Sequence, residues 1–304
     1  MIVHQLLSHV WINLQTSHSR TLSLTASFLM QNHIRPLLRR KTAVIMGIVN
    51  TTPDSFSDGG QFSHVDSAVQ HCLTLVEQGA DILDIGGEST RPGAEEVSLQ
   101  QELDRVIPVI ERVRSATDTP ISIDTYKPKV MQAAITAGAS MVNDINGLRE
   151  AGAIDVVAKT KVPVCIMHKL GTPKTMQEQP EYDNVVNEVT AFLSSRVNAC
   201  QNQGIALDDI VVDPGIGFGK TLQHNLQLLN SIRQMRDVLS CEILIGVSRK
   251  SMIDKMLNRQ VDQRLAASIG LAVQSVLNGA KIIRVHDVRQ SFDAIRSVEA
   301  VQFS

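Results

Sequence analysis

Apolar residues follow two alternating patterns along the chain from residue 42 onward. Short, mainly apolar runs, many of them β-branched and several apolar at consecutive positions, alternate with longer stretches in which apolar residues recur every three or four positions. Continuous apolar runs are typical of strands that are buried on both faces of a parallel sheet. The eight runs lie at residues 44–49, 82–85, 121–123, 141–145, 162–167, 210–212, 243–247 and 281–285.

The stretches between these runs predict amphipathic helices. In residues 100–114, for example, Leu103, Val106 and Ile110 lie on one face of a helix with 3.6 residues per turn. Several stretches stop at a glycine such as Gly79, the residue type that often ends a helix. The predicted helices cover residues 67–78, 100–114, 129–137, 185–203, 222–239, 264–277 and 288–301.

Alternating strands and helices can form either a closed barrel or an open, doubly wound sheet. Eight strand–helix units with right-handed crossovers close into a barrel. The open sheet would carry a Gly-x-Gly-x-x-Gly turn after its first strand, and Gly47-Ile-Val-Asn-Thr-Thr does not supply one. We therefore predict an α/β fold with a single (β/α)8 TIM barrel in residues 42–304 and an N-terminal extension in residues 1–41.

The predicted extension has its own composition. Residues 1–41 contain no acidic residue, are rich in Ser and His, and carry the only Trp of the chain. An Arg- and Ser-rich, acid-poor leader is typical of a mitochondrial transit peptide. An irregular extension, or a start site assigned upstream of a true start such as Met30, explains the same composition, and the sequence favours these two interpretations.

The overall composition narrows the class of protein further. None of the apolar runs among the 304 residues approaches the roughly 18 residues that a membrane span needs. The net charge is −2, but residues 42–304 hold 24 basic against 31 acidic residues, so they are a poor general binder of nucleic acid. Four scattered cysteines, without zinc-ligand spacing, predict reduced thiols and a cytoplasmic protein.

Polar or charged residues stand at the carboxyl end of every predicted strand. In a (β/α)8 barrel these ends meet at one rim, where the ligand sites of such barrels lie. A single residue of this kind often only caps the next helix, but a complete ring predicts a ligand site. The ring consists of Asn50, Asp84, Asp124, Asn143 with Asp144, His168, Asp213, residues 248–251, and Arg284 with His286.

One half of this ring suits a flat heterocycle. Asp124, Asn143 and Asp213 offer carboxylate and amide groups to adjacent N–H donors, such as those of a guanine-like or pterin edge. Lys250 can meet a ring carbonyl oxygen. These residues predict recognition of a ring rather than of a flexible chain.

The other half suits phosphate. Arg284 and His286 are two positions apart on a strand and so share a face, and Asn50 ends the neighbouring strand. A glycine-rich stretch after the sixth strand resembles a phosphate-binding loop, but Pro214 stands where that motif needs a glycine. We therefore assign phosphate binding to Arg284, His286 and Asn50.

The motifs at the strand ends resemble those of the dihydropteroate synthase family of pterin-binding enzymes. The resemblance runs in order from about Met46 to the carboxyl end, and two departures are mild: Thr51 stands where Val is commoner, and Ile216 where an aromatic residue is frequent. The matching motifs are NTTPDSFSDGG (50–60), GGESTRPG (86–93), SIDT (122–125), NDI (143–145), MH (167–168), DPGIGFGK (213–220), SRKS (248–251) and RVH (284–286).

The resemblance implies a transferase of folate synthesis. Such an enzyme condenses 6-hydroxymethyl-7,8-dihydropterin diphosphate with p-aminobenzoate to give 7,8-dihydropteroate and diphosphate. The resemblance further implies Mg²⁺ as cofactor, a homodimer, and competition by sulfonamides at the p-aminobenzoate pocket. No nucleic acid or membrane partner is expected.

Matching motif positions imply a role for each site residue. The pterin-binding residues would be Asp124, Asn143, Asp213, Lys250 and Arg284. The diphosphate-binding residues would be Asn50, Thr90, Arg284 and His286, with Asn50 also facing Mg²⁺. The p-aminobenzoate-binding residues would be Phe56, Thr90, Arg91, Pro92, Phe218 and Ser251. The catalytic set would be Asn50, Lys250, Arg284 and His286, and loops around Gly59-Gly60 and Pro92-Gly93 would close over the site.

Two other functions remain open at this point. A pterin-barrel methyltransferase, which moves a methyl group from methyltetrahydrofolate to a corrinoid, would share the Asp and Asn pocket but has no use for the Arg-Val-His or Ser-Thr-Arg-Pro motifs. A catalytically inactive pterin-binding or regulatory protein would not need both loop motifs. The sequence therefore favours the synthase.

Overall fold

The strands form a closed parallel barrel, which confirms the predicted fold. The computed structural model describes residues 34–52, 61–89, 93–171 and 180–304, with the backbone alone at 61–63. Each strand pairs with the next one along the chain, and β8 pairs with β1. The strands are β1 (Val44–Asn50), β2 (Ile82–Gly86), β3 (Ile121–Asp124), β4 (Met141–Asp144), β5 (Val164–Met167), β6 (Ile210–Asp213), β7 (Glu242–Ile245) and β8 (Ile282–Val285).

Helices surround the barrel and also precede β1. They are α1 (Ile34–Arg39), α2 (Gln61–Glu77), α3 (Leu99–Ala116), α4 (Pro128–Ala137), α5 (Ala153–Thr160), α6 (Val185–Asn202), α7 (Leu222–Asn230), α8 (Ile232–Leu239), α9 (Ser251–Leu257), α10 (Leu265–Leu277) and α11 (Val288–Gln302). The sequence did not predict α1, α5 or α9, which span only one or two turns and so show little periodicity. The single helix predicted over 222–239 is two helices that meet at Ser231.

Side chains along each strand alternate between the helices outside and the barrel axis inside. Ile45, Leu83 and Ile243 belong to the outer core between strands and helices. A second apolar cluster fills the amino-terminal half of the barrel. It consists of Val44, Met46, Ile82, Met141, Cys165, Val211, Leu244 and Ile282 from the strands, with Ile34 and Leu38 from α1.

The polar positions follow directly from this alternation. Asp84, Asn143, Asp213 and Arg284 each stand two positions after a residue of the inner cluster, so each faces the barrel axis one layer nearer the carboxyl end. Asp124, the last residue of β3, meets Arg284 there. The sequence pattern apolar–x–polar therefore builds a barrel that is apolar at one end and charged at the other.

Helix α1 closes the apolar end. Ile34 is completely buried, and the Arg35 guanidinium donates to both carboxylate oxygens of Asp209, at 2.6 and 2.9 Å. Arg40 donates to Asp81 at 2.7 Å, just before β2. The described part of the predicted extension thus packs against the barrel.

Within the described ranges, no helix is both long and apolar enough to cross a membrane. All four cysteines, Cys72, Cys165, Cys200 and Cys241, are buried and form no disulfide.

Candidate active site

Residues of the first four strands align in one row at the carboxyl rim. In strand register, Asn50 of β1 lies opposite Gly86 of β2, Gly86 opposite Asp124 of β3, and Asp124 opposite Asn143 of β4. A Cβ atom on Gly86 would lie 3.2 Å from that of Asp124, so the missing side chain leaves room beside the carboxylate. The structure therefore brings three predicted site residues together.

Asp84 is the centre of a buried hydrogen-bond network. It is completely buried, and its Oδ2 accepts hydrogen bonds from Arg284 Nε at 2.6 Å and from Asn143 Nδ2 at 3.1 Å. Arg284 Nη2 donates to Asp124 Oδ2 at 2.7 Å. One network thus joins β2, β3, β4 and β8, and it links the two predicted halves of the ring through Arg284.

Asp124 keeps one oxygen for a ligand. Among the described residues, its buried Oδ1 has no hydrogen-bond partner, whereas Oδ2 is taken by Arg284. Burial raises the pKa of Asp124 to about 7, and Arg284 opposes that rise. Because a buried acceptor without a partner costs about 1–3 kcal/mol, a ligand N–H that reaches Oδ1 gains that amount.

Asp213 and Lys250 form the second part of the heterocycle half. Asp213 Oδ1 accepts the main-chain N–H of Gly215 at 2.7 Å, and burial raises the pKa of Asp213 while Lys250 lowers it. Lys250 donates to the carbonyl of Ile216, and its ammonium lies 4.8 Å from the ring centroid of Phe218. Burial lowers the pKa of Lys250 to about 8, with Asp213 opposing. Asp213, Lys250 and Phe218 therefore share one corner of the rim.

His286 is oriented by Ser248, a residue without a predicted role of its own. The buried Ser248 Oγ lies 3.0 Å from His286 Nδ1 and accepts the main-chain N–H of His286 at 3.2 Å. Arg249 Nε donates to Asp287 at 3.0 Å, which ties the same two chain segments together. Ser251 begins α9 directly after Lys250.

Some predicted residues lie outside the described ranges or face away from the rim. Phe56, Thr90, Arg91 and Pro92, and the loop pair Gly59-Gly60, fall outside the described residues, so their roles stay predictions. Asp144, a member of the predicted ring, has another role. Its two carboxylate oxygens accept the main-chain N–H groups of Asn146 at 2.6 Å and Leu148 at 2.8 Å, so it caps the turn after β4.

The buried Lys220 escaped the sequence reasoning. It is 1% exposed, and its Nζ lies 3.0 Å from His168 Nδ1 and donates to the carbonyl of Phe218 at 3.0 Å. Burial lowers the pKa of Lys220 to about 7 and that of His168 to about 3, so the imidazole is neutral. The sequence signal that could have revealed Lys220 is its position as a lone lysine at the end of a glycine-rich apolar stretch.

The glycines of this stretch have a geometric reason. Gly215 has φ +70°, and a Cβ atom there would lie 1.8 Å from the carbonyl oxygen of His168. No other residue fits so close to β5. The glycine thus allows the loop to lie directly against His168. Phe218 belongs to the same loop, and its carbonyl accepts a hydrogen bond from Lys220.

The fold and the network together define a class of protein. A closed (β/α)8 barrel whose carboxyl rim holds three inward carboxylates, an amide, a lysine and an arginine is a barrel enzyme with a site for a flat, polar ring. The profile of the family described as pterin binding enzyme matches residues 46–286. The chain belongs to the pterin-binding enzyme family.

Several known proteins are similar to this chain. The dihydropteroate synthase of Escherichia coli (strain K12) is 47% identical over 256 residues, which cover 84% of this chain and 90% of that protein. The solved Xanthomonas albilineans dihydropteroate synthase with 4-aminobenzoic acid has a TM-score of 0.82 at 48% identity, and covers 86% of this chain and 94% of its own. The same enzyme in complex with 7,8-dihydropteroate has a TM-score of 0.79 at 45% identity, with the same coverage. The Yersinia pestis dihydropteroate synthase with a sulfonamide drug has a TM-score of 0.82 at 45% identity, and covers 86% of this chain and 95% of its own.

Proposed function

We propose that this protein is a dihydropteroate synthase of folate biosynthesis. It condenses 6-hydroxymethyl-7,8-dihydropterin diphosphate with p-aminobenzoate and releases diphosphate. The observation that carries the proposal is the rim network of Asp84, Arg284, Asp124 and Asn143, with a buried acceptor left open on Asp124. It lies in a barrel that is 47% identical to a dihydropteroate synthase.

The pterin ring is held by groups of complementary chemistry. Asp124 and Asp213 accept N–H groups of the ring, and Lys250 donates to its carbonyl oxygen. Arg284 is fixed at Nε and Nη2 by two carboxylates, so its guanidinium keeps one plane, which suits stacking on a flat ring. The carboxylate of Asp213 stabilises positive charge on the pterin.

The difficult step is the departure of diphosphate from the pterin methylene carbon. The amine of p-aminobenzoate is neutral near pH 7, so attack needs no strong base. Arg284 and His286 offset the charge that develops on the leaving diphosphate. Ser248 holds the His286 ring in one orientation for this role. The amine nitrogen forms a bond to the electron-deficient carbon as the bond to diphosphate breaks, and it then releases one proton to solvent.

Mg²⁺ fits this site as a companion of the substrate. Among the described residues, no group of three His, Cys, Asp or Glu side chains forms a metal cage. Mg²⁺ commonly binds one or two protein oxygens and otherwise phosphates and water, and the amide oxygen of Asn50 at the rim would be such a ligand. Bound there with the diphosphate, the ion would neutralise negative charge on the leaving group.

The p-aminobenzoate pocket lies on the side of Lys250. The pocket is framed by Phe218 and Ser251. Phe218 lies beside the Lys250 ammonium, and Ser251 begins α9. Thr90, Arg91, Pro92 and Phe56, which lie outside the described residues, are assigned to p-aminobenzoate by the sequence motifs alone. Sulfonamides bind in this pocket and compete with p-aminobenzoate.

The protein acts as a homodimer in the cytoplasm. Helix α10 packs against the barrel with the small residues Ser268, Ala272 and Ser275. At its amino-terminal end, Leu265 is 37% exposed, and the nearby Val261 is 57% exposed. A second copy of the chain would cover this apolar surface. Buried thiols without disulfides support a reducing compartment.

A turnover assay with labelled p-aminobenzoate tests the function. The protein is incubated with 6-hydroxymethyl-7,8-dihydropterin diphosphate, with and without Mg²⁺, and formation of 7,8-dihydropteroate is measured. We expect product with Mg²⁺ and much less after chelation. Binding of the pterin without any product would instead indicate an inactive pterin-binding protein, and methyl transfer from methyltetrahydrofolate would indicate the methyltransferase.

A further inference from the structure

A buried lysine joins the loop between β6 and α7 to the end of β5. Lys220 Nζ donates to the carbonyl oxygen of Phe218 at 3.0 Å and lies 3.0 Å from Nδ1 of His168, the residue that follows β5. Lys220 is 1% exposed, so its amine lies behind the loop rather than at the open rim. Lys220 thus contacts the main chain of a residue at the site without being part of the site surface.

The loop, residues 214–221, packs closely against the residues that follow β5. A Cβ atom on Gly215 would lie 1.8 Å from the carbonyl oxygen of His168, and one on Gly219 would lie 2.6 Å from that of Leu170. These close approaches lie on either side of Phe218 and leave it no space to move toward β5. The hydrogen bond from Lys220 resists movement in the other direction.

The first half of the loop is held by other side chains. Each of residues 215–217 has a main-chain hydrogen bond to a side chain outside this short stretch. The partners are Asp213 for the Gly215 N–H at 2.7 Å, Lys250 for the Ile216 carbonyl, and Asn225 for the Gly217 N–H at 2.7 Å. These three contacts do not involve Lys220.

Phe218 depends on a different set of contacts. Its main-chain N–H donates to the carbonyl of Gly215 at 3.1 Å, which is a bond within the loop itself. Its ring centroid lies 4.8 Å from the Lys250 ammonium. The side-chain donor to its carbonyl is Lys220, so removal of that amine frees the main chain at the point where the ring is attached.

The amine is kept in this place at a cost. Burial lowers the pKa of Lys220 to about 7, because a charged group is poorly stabilised away from water. A methionine of similar length would fill the same space without that cost. The contribution of Lys220 is therefore its hydrogen bonding to the loop and to His168 rather than its volume.

We propose that Lys220 is a positioning residue for p-aminobenzoate: it fixes the main chain at Phe218 and so sets where the phenyl ring stands at the pocket. The proposal rests on the proposed function, because that function assigns Phe218 to p-aminobenzoate. Asp213 and Lys250, which serve the pterin, keep their own hydrogen bonds to residues 215–216 when the amine is removed. The effect should therefore fall on one of the two substrates.

The primary test compares Lys220→Met with Lys281→Met. Lys281 is a matched control, because it is also buried, at 7% exposure, and its Nζ also donates to main-chain carbonyls, those of Arg40 and Thr42, at the apolar end of the barrel. We expect Lys220→Met to raise the KM for p-aminobenzoate by about threefold to tenfold, the range for loss of one aromatic contact, with kcat near that of the wild type.

The pterin serves as the internal reference. The affinity of Lys220→Met for 6-hydroxymethyl-7,8-dihydropterin diphosphate, measured by calorimetry, should match that of the wild type. Lys281→Met should change thermal stability and leave both the affinity and the KM unchanged. An unchanged KM for p-aminobenzoate in Lys220→Met, or an equal change in Lys281→Met, would overturn the proposal.

A double-mutant cycle shows whether Lys220 acts through Phe218. Phe218→Ala removes the ring and should by itself raise the KM for p-aminobenzoate. In that background, Lys220→Met should change the KM by less than about twofold, because the ring that it positions is gone and coupled residues are not additive. Full effects of both substitutions in the double variant would show that Lys220 acts by another route, and the proposal would be wrong.

Lys220→Gln takes the place of Lys220→Met if the latter does not fold. The glutamine side chain is polar but shorter, so it cannot reach both Phe218 and His168, and it should raise the same KM. If neither variant folds, Lys220 serves the fold rather than the placement of Phe218, and the proposal fails.

Hydrogen exchange separates this proposal from the proposed function. Backbone amides of residues 217–219 should exchange faster in Lys220→Met than in the wild type or Lys281→Met, whether or not the protein turns over p-aminobenzoate. If the wild type makes no 7,8-dihydropteroate, the proposed function fails, and the role toward p-aminobenzoate fails with it. If the wild type makes product but these amides exchange at the same rate in all three proteins, only the role of Lys220 is wrong.

Discussion

Replacement of Asp84 by asparagine tests whether the buried network orients the site. The substitution keeps the shape of the side chain and removes its charge. Asp84 Oδ2 accepts from both Arg284 Nε at 2.6 Å and Asn143 Nδ2 at 3.1 Å, so an amide oxygen in its place could still accept both hydrogen bonds, but Arg284 would lose its negatively charged partner. The change therefore acts mainly on the arginine.

The magnitude follows from the contacts. A hydrogen bond to a charged group contributes about 1.5–3 kcal/mol. Removal of one partner from a buried ion pair costs more, about 3–5 kcal/mol. Arg284 keeps a second carboxylate, since Asp124 lies at 2.7 Å. We therefore expect a loss close to that of a single charged hydrogen bond, at about 2–3 kcal/mol. If that loss falls on the transition state, kcat/KM drops by about 30- to 150-fold.

Steady-state kinetics and denaturant unfolding measure the two effects separately. Asp81→Asn is the matched control, because Asp81 also binds arginines, Arg40 at 2.7 Å and Arg296 at 3.4 Å, but at the apolar end of the barrel. Both variants should lose free energy of unfolding, and only Asp84→Asn should lose kcat/KM. Equal kcat/KM in Asp84→Asn and the wild type would show that the network does not orient Arg284 for the reaction.

Three further substitutions test other parts of the site. Asp213→Asn should weaken pterin binding by about 2–4 kcal/mol, measured by calorimetry with the pterin diphosphate, because a buried charge-assisted pair is lost; unchanged affinity would remove Asp213 from the pterin site. Arg284→Lys should depress kcat strongly, since an ammonium cannot hold Asp84 and Asp124 in one plane or stack on a ring, and turnover near that of the wild type would make Arg284 peripheral. Burial lowers the pKa of Lys220 from 10.5 to about 7; between these pH values the unfolded chain binds the proton more tightly, so wild-type stability should rise with pH across that window. Lys220→Met should reduce this rise in denaturant titrations and leave the part that comes from the lowered pKa of Lys250, and a rise of the same slope as in the wild type would refute the assigned burial cost.

The strands were predictable because of how they are buried. Strands covered on both faces consist of consecutive apolar residues, and the run at residues 44–49 became β1 (Val44–Asn50) with one residue added. Long helices also carry enough turns to show their period. Short helices do not: α5 (Ala153–Thr160) has eight residues, and periodicity alone did not reveal it.

The position of the candidate site residues in the barrel was also largely readable from the sequence, for a topological reason. In a parallel barrel every strand ends at the same rim, so a polar residue at a strand end is placed without knowledge of its neighbours. Asn50, Asp124 and Asn143 were placed in this way, and strand register sets them in one row. The rule fails for a residue such as Asp144, which faces outward, because it stands one position further along the same strand.

The amino-acid sequence by itself determined the barrel, its charged rim and the chemical types gathered there. Only the tertiary structure decided which of those groups bind one another. Arg284 contacts Asp84 and Asp124 across 200 and 160 residues of chain, and Lys127 reaches Glu88 across 39. Such pairings depend on the closure and register of the barrel, which bring distant strand ends within hydrogen-bonding distance, and no local spacing in the chain encodes that geometry.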